Sequence, residues 1–239
     1  MNKNFLDVSN VCLNYPFEME SKPPTGTSDV GHAETRRQLL EAAGEVFAEA
    51  GFRETTVREI CRRAGANVAA VNYHFGDKET LYLEVLRYAH TKALEKYPPL
   101  LNVPADAPPE KKLFAFVHSL LLRIFDKGPT AWHGKIMLRE MIEPSAALDS
   151  LVEERMRPMA GQLWQIVAEI LDCPLNHERV RHCAFSVVSQ CVFYHHCRPV
   201  VSRLFPKQEA LDAAGIERLA DHITNFSLAA MKHMPAAKR

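Results

Sequence analysis

Glycine is scarce in this chain, ten residues of 239, while Ala, Leu, Glu and Arg are plentiful, which points to an all-helical fold. The sequence has no Gly-rich phosphate loop, no G-x-S-x-G and no H-E-x-x-H, which sets the common enzyme classes aside. Net charge is also missing. Lys plus Arg number 29 and Asp plus Glu 29, so any surface for a polyanion must be local. No apolar run approaches the ~18 residues of a membrane span. No basic segment leads into an apolar one as in an export signal, so the expectation is a cytoplasmic protein. The six cysteines, Cys12, Cys61, Cys173, Cys183, Cys191 and Cys197, form no C-x-x-C pair and read as reduced, mostly buried thiols.

What is present is organised punctuation. Residues 1–32 lack helical periodicity and include the Pro- and Ser-rich stretch Ser21 to Ser28, read as a flexible arm. Met19 lies within it, and an internal start there is the alternative that leaves every later element intact. From Ala33, the residues Leu39, Leu40, Ala43, Val46, Phe47 and Ala50 recur at three- and four-residue steps, one apolar helix face. Gly51 supplies a stop. Thr56 and Glu59 form a capping box for a short helix to Ala64, with Val57, Ile60 and Ala64 facing inward. Gly65 breaks that helix, and Asn67 caps a third from Val68 to His74. Gly76 ends it, Asp77 opens a longer helix, and Pro98 with Pro99 stops that one.

The expected organisation is therefore all-helical: an arm over 1–32, a three-helix head over 33–97, and a larger helical domain over 98–239. In that second domain the periodicity places helices over 110–126, 130–142, 146–172, 176–197 and 215–233, with Pro158 kinking or restarting the third.

Two short helices joined at Gly65 and Ala66 make a helix-turn-helix, whose second helix enters the major groove. Arg58, Arg62 and Arg63 give the first helix local positive charge, and Thr55, Thr56, Tyr73, His74 and Lys78 are donors placed for phosphates. The outward residues of the second helix, Asn67, Val68, Ala69, Ala70 and Asn72, are short enough for close approach to base edges. Asn can hold adenine in a bidentate manner, and Val or Ala can meet a thymine methyl. The same shape occurs in helical proteins without a nucleic-acid role, and an Arg-rich face is also a solvated face. Shape and charge leave both readings open.

The run Gly51-Phe-Arg-Glu-Thr-Thr-Val-Arg-Glu-Ile60, then Ala64 to Val68, then Tyr73-His74-Phe75-Gly76-Asp77-Lys78-Glu79-Thr80-Leu81, resembles the TetR-family signature at many fixed spacings across residues 34–90. That resemblance implies a homodimeric transcription regulator with double-stranded DNA and a small-molecule effector as partners. Repression is the family's usual mode, and activation or a sensor without a DNA role are the alternatives. It implies DNA contact at Thr56, Arg58, Tyr73, His74 and Lys78, and core positions at Phe47, Ile60 and Phe75. The chain departs from many relatives in having Asn72 where they carry an aromatic and Asn67 where they carry Ser. Both remain hydrogen-bonding residues and bear on which operator is read. The segments Trp132 to Met141, Ile142 to Leu148 and Tyr194 to Pro199 resemble the regulatory domain of the CecR-like branch.

An effector pocket in a helical bundle needs apolar walls and a few convergent polar groups. Wall candidates are Phe114, Val117, Leu121, Trp132, Met137, Met141, Trp164, Phe185 and Phe193; polar candidates are His118, His133, Arg139, Glu140 and Gln190. The same apolar residues also read as ordinary core. His182, Cys183, Cys191, His195, His196 and Cys197 invite a metal or thiol-sensing reading, but zinc sites show tighter paired motifs. No metal or other cofactor is expected, and packing in a dimer interface is the plainer account. Dimerisation follows from the need for two half-sites, through apolar stripes at Val180, Phe185, Val188 and Val192 and at Leu219, Ile223, Phe226 and Ala230.

Overall fold

The structure, a computed structural model, describes residues 27–127, 131–205 and 211–234, and within these there is no strand. Met19 and the rest of residues 1–26 lie outside the described part. The helices form two compact units that divide within one helix, between Val85 and Leu86.

The first unit begins with α1 (Thr27–Glu54), ahead of the expected start at Ala33. Apolar periodicity is absent there; the Thr35 hydroxyl donates back to the Gly31 carbonyl at 2.9 Å, and one turn on Glu34 accepts from Arg37 at 2.7 Å and from Gln38 at 2.9 Å. Gly51 interrupts α1 with φ 84°, a backbone that a side chain would strain. Next come α2 (Val57–Ala64) and α3 (Val68–Phe75). Thr56 Oγ1 accepts from the Glu59 amide at 3.2 Å, and Asn67 Oδ1 accepts from the Ala70 amide at 2.9 Å, so both expected caps form. The Glu59 carboxylate does not complete the box: it takes a bidentate pair from Arg62 at 2.6 and 2.8 Å. Gly65 at the intervening turn has φ 64°. Leu39, Val46, Phe47, Ile60, Val71, Phe75 and Leu81 fill the small core, and the Phe47 ring meets Tyr82 edge-on at 4.7 Å.

α4 (Lys78–Lys96) continues across the division. The second unit holds α5 (Pro109–Ile124), α6 (Trp132–Ile142), α7 (Ala147–Leu151), α8 (Arg157–Leu171), α9 (Glu178–His196), α10 (Arg198–Leu204) and α11 (Ala213–His233). α5 packs on α11, α8 and α9, around Leu113, Phe116, Leu121, Leu163, Val187 and Ile223. α7 and α8 are joined without a break by a π-helical turn, Val152–Met156. Pro158 explains it. A proline ring collides with the carbonyl four residues back, and the wider turn, in which the Arg157 amide bonds to Val152, makes room. As expected, the α-helix restarts at Pro158: α8 begins at Arg157 with the proline in its first turn. α10 was not foreseen; its Val200 and Leu204 stay exposed, so no buried face marks it in the sequence. The expected dimer stripes are also corrected: Val180 and Ile223 point into the core, while Phe185 and Phe226 are exposed. Among the described residues no helix is long and apolar enough to cross a membrane.

Candidate DNA-reading head and regulatory cavity

On the head, α3 turns Val71 and Phe75 inward and leaves Asn67, Val68, Ala69, Asn72 and Tyr73 exposed, with Ala70 and His74 half-buried. Tyr73 is 72% exposed. The caps leave donors outward, because Thr56 and Asn67 use oxygen acceptors for the helix and keep a hydroxyl hydrogen and an amide NH2. Thr55 is different. It is 3% exposed and its hydroxyl donates to the Gly51 carbonyl at 2.6 Å, so it secures the loop and leaves the outward set.

The arginine cluster also resolves into unequal members. Arg62 is held by Glu59, and Arg63 by Glu49 at 3.0 Å with Glu45 and Glu59 at 3.8 and 3.7 Å. Arg58 is exposed and has no carboxylate partner among the described residues. Lys78 lies over the Phe52 ring at 4.6 Å and donates weakly to the Arg53 carbonyl at 3.4 Å, so its ammonium stays available beside the start of α4. His32, placed in the arm by the sequence reading, stands edge-on to Tyr73 at 5.7 Å and near His74 at 6.2 Å. Burial, and then the positive neighbours His32 and Arg36, hold the His74 imidazole below the ordinary histidine pKa.

The second unit contains a cavity of about 300 Å³. Among the expected wall residues Met137, Met141, Trp164 and Phe185 line it. Phe114, Trp132 and Phe193 do not, nor do Val117 and Leu121, which belong to the core. Of the expected polar groups only His133 is present; His118, Arg139, Glu140 and Gln190 lie elsewhere. Arg139 pairs with Glu143 at 3.2 Å, the buried Glu140 accepts from the Ser145 amide at 2.8 Å, and Gln190 donates to Ser227 at 3.1 Å. Each of the three is committed to the fold.

Sequence reading missed the two polar residues that matter most in the cavity, Arg123 and His90. Arg123 is 8% exposed and His90 7%. The spacing of Arg123 from Phe116 and Ser119, and of His90 from Leu86, is visible in the sequence, but that those helix faces are buried is not. Burial lowers the Arg123 guanidinium to about 10, so it is charged at neutral pH. Burial, with Arg123 and Arg155 adding to it, lowers His90 to about 4, so its ring is neutral.

The histidine and cysteine group does not converge. His182 and His196 are exposed while Cys183 and Cys191 face the core, and burial pushes the Cys191 thiol up to about 12. Among the described residues no set of three or more His, Cys, Asp or Glu is arranged to hold a metal.

Two family models match. Residues 39–85 match that of the bacterial regulatory proteins of the tetR family, and residues 109–231 that of the C-terminal domain of the HTH-type transcriptional dual regulator CecR. The dual regulator CecR of Shigella flexneri is 30% identical over 161 residues, 62% of this chain and 69% of that protein. The HTH-type transcriptional repressor NicS of Pseudomonas putida is 25% identical over 210 residues, 83% and 91% of the two chains. A transcriptional regulator from Rhodococcus has the same fold, with a TM-score of 0.61 at 20% identity over 84% of this chain and 99% of that one. So does the hemolysin II regulator HlyIIR, with 0.54 at 23% over 81% and 98%. With its capped reading helix and its CecR-type regulatory unit, this chain belongs to the TetR family, whose members are DNA-binding transcriptional regulators and not enzymes.

Proposed function

We propose that this regulator is a homodimeric repressor that leaves a palindromic operator when a small molecule fills the cavity of its second unit. The observation that carries the reading is the coexistence, in one chain, of an exposed helix with uncommitted Asn72 and an apolar cavity, with α4 running from the first unit into the second. In this reading Asn72, Val68, Ala69 and Ala70 meet base edges, while Thr56, Arg58, Asn67, Tyr73, His74 and Lys78 hold phosphates. Exposed Phe185 and Phe193 on α9 and Phe226 on α11 supply an apolar face from which two helices per subunit make a four-helix interface. Repression is supported by relatives such as NicS, named as a repressor. Activation at some promoters is the second reading, favoured by the dual role in the name of the Shigella relative. By linkage, the effector weakens the operator by the factor that the operator weakens the effector.

A gel-shift titration tests this, with DNA flanking the chain's own gene and a scrambled control at two salt concentrations, beside the molar mass of the free protein. Tight, salt-sensitive binding of a palindrome by a dimer is expected. A monomer at micromolar concentration, or equal affinity for scrambled DNA and for sites selected from a random pool, overturns it.

A further inference from the structure

Resting on the reading of the cavity as the effector site, we infer that its ligand is an apolar organic acid whose carboxylate is received by Arg123, with His90 as a neutral second partner.

The walls set the body of the ligand. Met137, Met141, Met156, Met159, Leu163 and Trp164 line the space, and thioethers adapt to varied apolar shapes. A volume of about 300 Å³ is that of roughly ten waters at ~30 Å³ each, so a ligand on the order of ten to fifteen non-hydrogen atoms fits. Met156, the last residue of the π-helical turn, and Met159, in the first turn of α8, both line the cavity.

Arg123 sets the head group. A guanidinium carries five N–H donors. Here Nε reaches the Ser119 carbonyl at 3.3 Å, Nη1 reaches the soft Met159 sulfur at 3.2 Å, and buried Nη2 has no partner. Among the described residues Arg123 has no carboxylate partner, and no Asp or Glu lines the cavity. Cys191 cannot serve as the counter-ion, since burial keeps its thiol protonated. A buried cation with neither full hydrogen bonding nor an opposite charge is strongly unfavourable in the fold alone. A planar carboxylate removes both deficits, because it matches the guanidinium fork. His90 stands with both ring nitrogens buried and without a partner; as a neutral imidazole it offers one N–H. An amine is repelled by Arg123, and a hydrocarbon or alcohol leaves its charge uncompensated. A phosphate monoester brings more negative charge and more acceptor oxygens than one arginine and one neutral histidine can meet.

Isothermal titration calorimetry on the full-length protein tests this with matched sets: decanoate, 1-decanol and decylamine; 4-phenylbutyrate and 4-phenylbutanol; decyl phosphate for the other anion. At least one carboxylate is expected to bind ten-fold or more tighter than its alcohol, with the amine weakest and the phosphate no better than the acid. Arg123→Met, similar in bulk, should erase the preference for acid over alcohol. The same variant should unfold at an equal or higher temperature than the parent, because an uncompensated buried charge is gone. Arg123→Lys, which keeps charge without the fork, should fall between. Alcohols that match their acids, or acid binding unchanged in Arg123→Met, overturn the inference. If Arg123→Met does not fold, Arg123 is structural and the inference also fails. The effector reading is tested separately by adding the bound acid to the gel shift. Arg123-dependent binding without release upholds the ligand class and rejects the effector role. Release by a neutral compound, with no acid bound, does the reverse.

Discussion

The two units of this chain use polar residues in opposite ways. On the head, the polar groups of the reading helix are exposed and uncommitted, while those that hold its shape are local caps, as at Thr56 and Asn67. In the second unit several surface charges pair with one another, as Arg139 does with Glu143, while Arg123 Nη2 and both ring nitrogens of His90 are buried without a hydrogen-bond partner. A DNA reader keeps its donors in water until a phosphate or base edge replaces that water. A sensor of small apolar molecules holds its donors dry, where an unmet charge discriminates strongly between ligands.

The sharpest way to break the comparison is to unfold one side only. Phe47 is fully buried in the head, and Phe47→Ala should cost about 3–5 kcal/mol there. Operator binding should vanish while calorimetric binding to the cavity persists. Loss of both together would show that the units fold as one cooperative body.

Acid acts on the other side. The folded-state pKa of His90 is lowered from 6.5 to about 4, so the unfolded chain takes up the proton first. The stability associated with neutral His90 is complete above about pH 6.5 and is lost as pH falls from there to about 4. At 1.36 kcal/mol per unit the loss approaches about 3 kcal/mol. Denaturant melts from pH 7.5 to 4.5 should show this decline, and His90→Phe should flatten it. His74 and His195, also lowered chiefly by burial, act in the same direction.

The head was legible in sequence because its structure is written in local punctuation. Gly51, Gly65 and Gly76 all take positive φ, and caps stand three residues from the amides they serve, so spacing alone locates them. The second unit is written in long-range packing. Its helices could be placed by periodicity, but a charged residue inside an apolar helix reads as solvent-facing unless its neighbours are known to be buried, as at Arg123. The residues chosen for the pocket by chemistry, Arg139, Glu140 and Gln190, proved to be held by Glu143, Ser145 and Ser227, and none of those pairings could be read from composition. α10 escaped for the opposite reason, since it buries no face at all.

Between the side chains of the head, the expected effects differ in kind. Asn72→Ala should cost roughly 1–3 kcal/mol at one base pair and relax the preference there, as read from binding to operators changed one position at a time. A loss that is uniform across sequences would make Asn72 a positioning residue and move base recognition to Val68 and Ala69.

The smallest effect separates arginines that composition cannot distinguish. Arg58 is exposed and without a carboxylate partner, whereas Arg62, four residues on and so on nearly the same side of α2, is paired with Glu59 in both directions of its fork. An exposed ion pair contributes about 0–1 kcal/mol, but a phosphate must still compete with Glu59 for the same guanidinium. Arg58→Ala should therefore reduce the slope of log affinity against log salt by about one, as should Lys78→Ala, and Arg62→Ala should leave it nearly unchanged. The decisive comparison is the single variant Glu59→Gln, with Arg62 intact. Freed from its partner, Arg62 is available to the backbone, and the salt dependence should steepen relative to the parent. A slope that falls on Arg62→Ala and does not respond to Glu59→Gln would mean that Arg62 abandons Glu59 on the DNA, and that the internal ion pairs of the head do not decide which cations meet phosphate.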